Sequence, residues 1–133
     1  MKVEVAGPAV PRLSRRAIAE FARRVLRACG TGSQPVRIAE LSIAFVDDTT
    51  MRALNRKFRH KNKTTDVLTF PEEIVISLDQ ARLQARDEKH SLATEVRYLI
   101  AHGILHALGY DHETDGGEMN ALELRVREKV GLD

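Results

Sequence analysis

Three of the chain's five histidines fall between positions 102 and 112, as His102, His106 and His112. Residues four apart share one face of a helix, so the imidazoles of His102 and His106 stand one turn apart and can meet a single ion. Gly109 follows three positions later, and glycine suits the left-handed conformation that ends a helix. The chain can then turn and bring His112 back to the same ion, whereas an unbroken helix would carry it about 120° away from His106. Three nitrogens leave one tetrahedral position for water, the pattern of a catalytic zinc site, where the ion lowers the water pKa to roughly 7. Imidazole also suits other transition metals, so the expected cofactor is one Zn2+ per chain, with another divalent metal as the alternative. The competing reading is a pair of core histidines satisfied by hydrogen bonds. It explains neither Gly109 nor His112.

A second group of residues carries charge. Between Thr49 and Thr65 stand Arg52, Arg56, Lys57, Arg59, Lys61 and Lys63, with no acid among them. The segment from Asp111 onward is acidic. Such a split makes either a positive patch for an anionic partner or a solvated charged face. Arg59 could clamp a phosphate in bidentate fashion, or bond carbonyls or a carboxylate at a helix end. Near the histidines, Asp111, Glu113 and Asp115 leave the general base unassigned. Asp111 could instead orient a histidine through its second ring nitrogen. Glu95, seven residues before His102, is open to two readings: a supporting hydrogen-bond partner or a first-turn acid. His60 and His90 read as surface residues. Phe58, Phe70, Tyr98 and Tyr110 are the aromatics expected near the site.

The elements that must position these groups follow from periodicity. Lys2–Val5 alternates as a short strand, and Ser14 is the expected N-cap of a helix with Ile18, Phe21, Ala22, Val25 and Leu26 on its apolar face. A strand is expected over Ile38–Val46, and Asp47 or Asp48 caps the next helix, with Met51, Leu54 and Phe58. Val67, Leu68 and Phe70 mark a strand ended by Pro71, and Ile74–Leu78 marks another. Helices follow over Gln80–Lys89, from Ser91 to Leu108, and from about Gly117 to Lys129. The helix bearing the histidine pair is apolar nearly all round, hence buried. Gly103 inside it costs about 1 kcal/mol relative to alanine, which is open to two readings: close approach of another element beside the metal, or an ordinary packing site. The expected fold is α+β: a single layer of mixed four-stranded sheet packed with about five helices, the metal-binding His-x3-His helix central and zincin-like.

Length and composition agree with one soluble domain over residues 1–133. Hydrophobic residues make up 43% and charged residues 30%, with a net charge of +2. The lone Cys29 excludes an internal disulfide and a cysteine zinc knuckle, and reads as a packing residue. No secretory signal or membrane span is visible, so the expected location is the cytoplasm.

The spacing His-x3-His-x2-Gly-x2-His resembles the zinc-binding segment of metzincin proteases, but those carry Glu after the first histidine, where this chain has Gly103. The fuller string His102-Gly103-x-Leu105-His106-x-x-Gly109-Tyr110-Asp111-His112 resembles the YbeY family of bacterial single-strand endoribonucleases, also called rRNA maturation factors. Leu54-Asn55-x-x-Phe58-Arg59, Thr65-Asp66-Val67-Leu68-Thr69-Phe70-Pro71 and Ile74-Val75-Ile76-Ser77 agree with it, so the resemblance covers about Ala44 to Leu132. It implies a zinc-dependent hydrolase of single-stranded RNA acting in 16S rRNA 3′-end maturation and ribosome quality control, with the small ribosomal subunit as partner. It implies that the three histidines are ligands and that Arg59 stands beside the metal cleft. Lys61 and Lys63 would then follow the RNA backbone. Family members have a longer stretch before the Ile-Val-Ile-Ser strand, where this chain has only Glu72 and Glu73. Two other functions are open: a metallopeptidase-like hydrolase, and a ribosome-associated module with a structural metal.

Overall fold

The computed structural model describes residues 2–30, 38–110 and 116–132. Its elements are β1 (Lys2–Ala6), α1 (Arg15–Cys29), β2 (Glu40–Val46), α2 (Asp48–Arg59), β3 (Val67–Phe70), β4 (Glu73–Ser77), α3 (Leu78–Glu88), α4 (Leu92–Ala107) and α5 (Glu118–Lys129). They form an α+β fold around one four-stranded mixed sheet of order β1-β2-β4-β3. β1 and β4 both run parallel to β2, and β3 runs antiparallel to β4. Only Pro71 and Glu72 separate β3 from β4, because Phe70 pairs directly with Glu73. The short connection seen in the sequence is thus a tight hairpin at the sheet edge.

Alternation along β4 divides the core. Ile74 and Ile76 face the main apolar cluster with Ile43, Phe45, Ile100 and Ile104, while Val75 faces a smaller cluster with Met51 and Leu68. Successive side chains of a strand point to opposite faces, so α2 covers one face of the sheet and α4 the other. α4 packs against β3, β4, α1, α3 and α5, which makes it the central helix.

Gly103 is where that packing is closest. A Cβ there would stand 3.0 Å from Cγ2 and 3.3 Å from Cδ1 of Ile74, a side chain buried completely. Gly103→Ala should be nearly neutral in stability, because about 1 kcal/mol of helix propensity offsets the tight contact. Gly103→Val should destabilise by about 1–3 kcal/mol through overpacking. Urea unfolding of the two variants checks this. Equal stability of the valine variant and wild type would remove the close-approach account.

Three helices begin at the serine or aspartate expected to cap them. Ser14 accepts from Ala17 N, Asp47 from Thr50 N and Ser91 from Thr94 N. The third expected helix starts earlier than its periodicity implied: Ser77 caps α3 and Leu78 is already helical. Cys29 closes α1 partly buried, and that burial pushes its thiol up to about 11 against the opposing pull of Lys129. A thiol held that high is protonated at neutral pH and inert. No helix among the described residues is long and apolar enough to cross a membrane.

Candidate active site

The histidine helix ends as its glycine requires. Gly109 has φ of 99°, and its N–H donates to His106 O at 2.9 Å while Tyr110 N donates to Leu105 O at 3.1 Å. These paired bonds make a Schellman motif, with a left-handed residue just past the helix. Asp111 and His112 lie outside the described residues.

On the helix face, His102 and His106 converge. Their Nε2 atoms are 3.0 Å apart, and the rings meet edge to face at 4.6 Å and 72°. On the opposite side of the His102 ring, Nδ1 lies 2.6 Å from Oε1 of Glu123. An ionised carboxylate only accepts, so this contact fixes the proton on Nδ1 and leaves the Nε2 lone pair toward His106. Glu123 is buried, at 5% exposure, and Arg127 Nη2 reaches its Oε2 at 3.3 Å one turn further along α5. The Arg127 guanidinium in turn lies 4.8 Å from the Tyr98 ring centroid.

The residues present fit a tetrahedral ion. Two nitrogens bound at about 2.0–2.1 Å would be about 3.3 Å apart, close to the observed separation. The carboxylate on the second ring nitrogen is the usual support for a ligating histidine.

Sequence reasoning missed Glu123, twenty-one residues beyond His102 in the chain. The signal was available: Met119, Leu122 and Val126 mark the buried face of α5, and Glu123 interrupts that face. A carboxylate on an apolar helix face needs a buried partner. Asp111 was the expected supporter of a histidine, but for His102 that place is held by Glu123. Glu95 does not contact His102. It is buried and lies 2.6 Å from His90 Nε2, and His90 stacks on Tyr98 with centroids at 5.6 Å and planes 18° apart. His90 is therefore half-buried rather than a free surface residue. Tyr98 belongs to the hollow formed with His90, Glu95 and Arg127, not to the cleft at His106. His60 is exposed, as expected, and ends α2 with φ of 58°.

Arg59 sits in the last turn of α2. Its Nη2 donates to Thr69 O on β3 at 2.8 Å, and its guanidinium lies 5.2 Å from the Phe70 centroid. A helix-end arginine was expected to choose between a carbonyl and a phosphate. Here one nitrogen takes a strand carbonyl, yet the side chain still lines a cleft of about 290 Å3 with Thr69, Phe70, Pro71, His106, Gly109 and Tyr110. The fold thus brings Arg59 and His106 from two faces of the sheet to one opening beyond the β3 edge. Lys61 and Lys63 are exposed but do not line that cleft. Lys63 borders a separate hollow with Arg52, Asn62 and Thr64.

Buried and half-buried polar groups hold α2 and its cationic exit in place. Asn55, 3% exposed, donates from Nδ2 to Lys63 O at 2.9 Å and accepts from Lys61 N at its backbone carbonyl at 3.3 Å. Asp66 accepts from Val67 N and Gln84 Nε2, which ties the start of β3 to α3. Asp48 accepts from Ser77 Oγ at 2.7 Å, Thr64 Oγ1 at 3.1 Å and Gln80 Nε2 at 3.0 Å. Burial alone would raise the Asp48 carboxyl, but those three hydrogen bonds outweigh it and hold it below the ordinary 3.8. A carboxylate whose folded pKa is depressed stabilises the fold above its unfolded value, and that stability is lost as pH falls through the folded value. Asp48→Ala should therefore destabilise by about 1–3 kcal/mol at neutral pH through orphaned partners, and the gap to wild type should narrow below pH 3.8. Urea midpoints at pH 7 and pH 3 measure it. A gap that widens in acid would refute the assignment.

An α+β domain with a convergent histidine pair, a buried supporting carboxylate and an arginine-lined cleft has the class features of a hydrolytic enzyme for an anionic substrate. The family model described as Endoribonuclease YbeY matches residues 9–131. The chain is 43% identical over 126 residues to Endoribonuclease YbeY of Solibacter usitatus, covering 90% of this chain and 82% of that one. It is 44% identical over 112 residues to Endoribonuclease YbeY of Aquifex aeolicus, covering 76% and 71%. In fold it is similar to the solution structure of TM1509 from Thermotoga maritima, with a TM-score of 0.64 and 25% identity over 96% of this chain and 88% of the other. The chain belongs to the YbeY endoribonuclease family.

Proposed function

We propose that this chain is a zinc-dependent endoribonuclease that cuts single-stranded RNA, acting as one cytoplasmic domain in 16S rRNA 3′-end maturation and ribosome quality control on the small ribosomal subunit. The observation that carries the reading is the pair of Nε2 atoms 3.0 Å apart, reached by the same cleft that Arg59 lines, in a member of an endoribonuclease family. His102 and His106 would hold the ion, with His112 as the third ligand. Zinc there supplies Lewis acidity toward a phosphoryl oxygen and a more acidic water. Glu123, held on His102 Nδ1, would keep the opposite ring nitrogen free to bind the ion. Arg59 has five N–H donors, and those not engaged with Thr69 O and Phe58 O would bind the phosphate and meet the charge that builds up in the transition state. Lys61 and Lys63 add backbone attraction that weakens with salt.

The metallopeptidase reading lacks its base. Gly103 stands where a metzincin has Glu, and it is packed against Ile74 rather than opening to a substrate. The structural-metal reading requires a fourth protein ligand in place of an open position. Purified protein assayed on single-stranded RNA and on casein, with and without chelator, separates the three. RNA cleavage that chelator abolishes and zinc restores, with casein intact, is expected. Casein cleavage or chelator-resistant RNA cleavage would sink the proposal.

A further inference from the structure

We infer that Phe58 is a stacking platform for an unpaired RNA base, and that it contributes the preference for single strands. This rests on the reading of the cleft as an RNA-cutting site. Phe58 is 46% exposed, although Met51, Leu68 and Val75 form an apolar cluster under the same helix. Its ring meets Phe70 edge to face at 5.4 Å and 76°. Lys57 Nζ stands over one face of the Phe58 ring, 5.2 Å from its centroid, which leaves the other face for a base. Arg59 lies 5.2 Å from the Phe70 centroid, and Phe70 also lines the cleft with His106. Phe58 and Arg59 therefore lean on the same aromatic ring, one a half-exposed aromatic and the other the proposed phosphate clamp.

The surroundings say what would cover that face. From Thr49 to Thr65 the chain carries six cations and no anion, so a cationic surface would be repelled, an apolar one would strip the cations of water, and a polyanion would be attracted. A nucleobase with phosphates on either side satisfies both the ring and the charges around it. Bases inside a duplex already have both faces covered by their neighbours, so only an unpaired base can use the ring.

The test compares wild type, Phe58→Ala, Phe58→Leu and Phe58→Trp, all zinc-loaded, on one short single-stranded RNA and on a set of copies with one abasic position each. Phe58→Leu keeps apolar bulk against Phe70 but removes the flat face, so it distinguishes lost stacking from a disturbed fold. The alanine and leucine variants should raise KM for the intact strand by about 10–100-fold with kcat nearly unchanged. Tryptophan should match or improve on wild type. One abasic copy should raise the wild-type KM equally, with no further effect of Phe58→Ala on it. Wild-type KM in both the alanine and leucine variants, or equal losses on every abasic copy, would overturn the inference alone. Failure of wild type to cut any RNA would overturn the proposed function and this inference with it.

Discussion

Alanine in place of His106 should give a folded protein without zinc and without RNA cleavage, whereas alanine in place of Arg59 should keep the zinc and still lower kcat by about 100–1,000-fold. The contrast follows from where the two side chains end. His106 Nε2 lies 3.0 Å from its partner nitrogen, so under the proposed function its removal would take away a ligand. Arg59 is exposed and donates to the carbonyls of Thr69 and Phe58, so under the proposed function its truncation would remove phosphate binding and leave the histidines in place. Elemental analysis, thermal melting and cleavage of single-stranded RNA on the same preparations read all three properties. Zinc retained at wild-type level in His106→Ala would remove that residue from the ligand set. Full activity in Arg59→Ala would remove the arginine from the reaction.

Glu123→Ala should weaken zinc binding by about 10–100-fold and destabilise the fold by about 1–3 kcal/mol. The alanine leaves the His102 Nδ1–H and the Arg127 guanidinium without their carboxylate, and the His102 ring loses the contact that fixes its tautomer. Glu123→Gln keeps an oxygen acceptor in place and should recover most of the zinc affinity while losing the charge opposite Arg127. A competition titration against a chromophoric chelator gives the affinities, and urea unfolding gives the stability. If the alanine variant binds zinc as tightly as wild type, Glu123 is a packing residue and the support of His102 has been misassigned.

Local physics made much of this molecule legible in the amino-acid sequence. The caps at Ser14, Asp47 and Ser91 were readable because a serine or aspartate oxygen one turn ahead of an apolar stripe satisfies helix N–H groups whatever the tertiary context. The histidine pair on one helix face, the glycine stop at Gly109 and the close approach at Gly103 were readable for the same reason: each is set by helix geometry or by the size of one side chain. The early start of α3 was not, because Leu78 is at once the last apolar residue of a strand pattern and the first of a helix.

What only the folded chain decided is the company these residues keep. Glu123 meets His102 because α5 packs across α4, and Glu95 meets His90 because the turn between α3 and α4 folds back. Arg59 reaches the opening at His106 because β3 ends at the same edge where α2 and α4 both finish. Periodicity along a chain determines which face of an element is buried, but it carries no information about which other element buries it. That pairing is settled by side-chain volume and by hydrogen bonds closing between distant segments, which exist only once the sheet has brought them together.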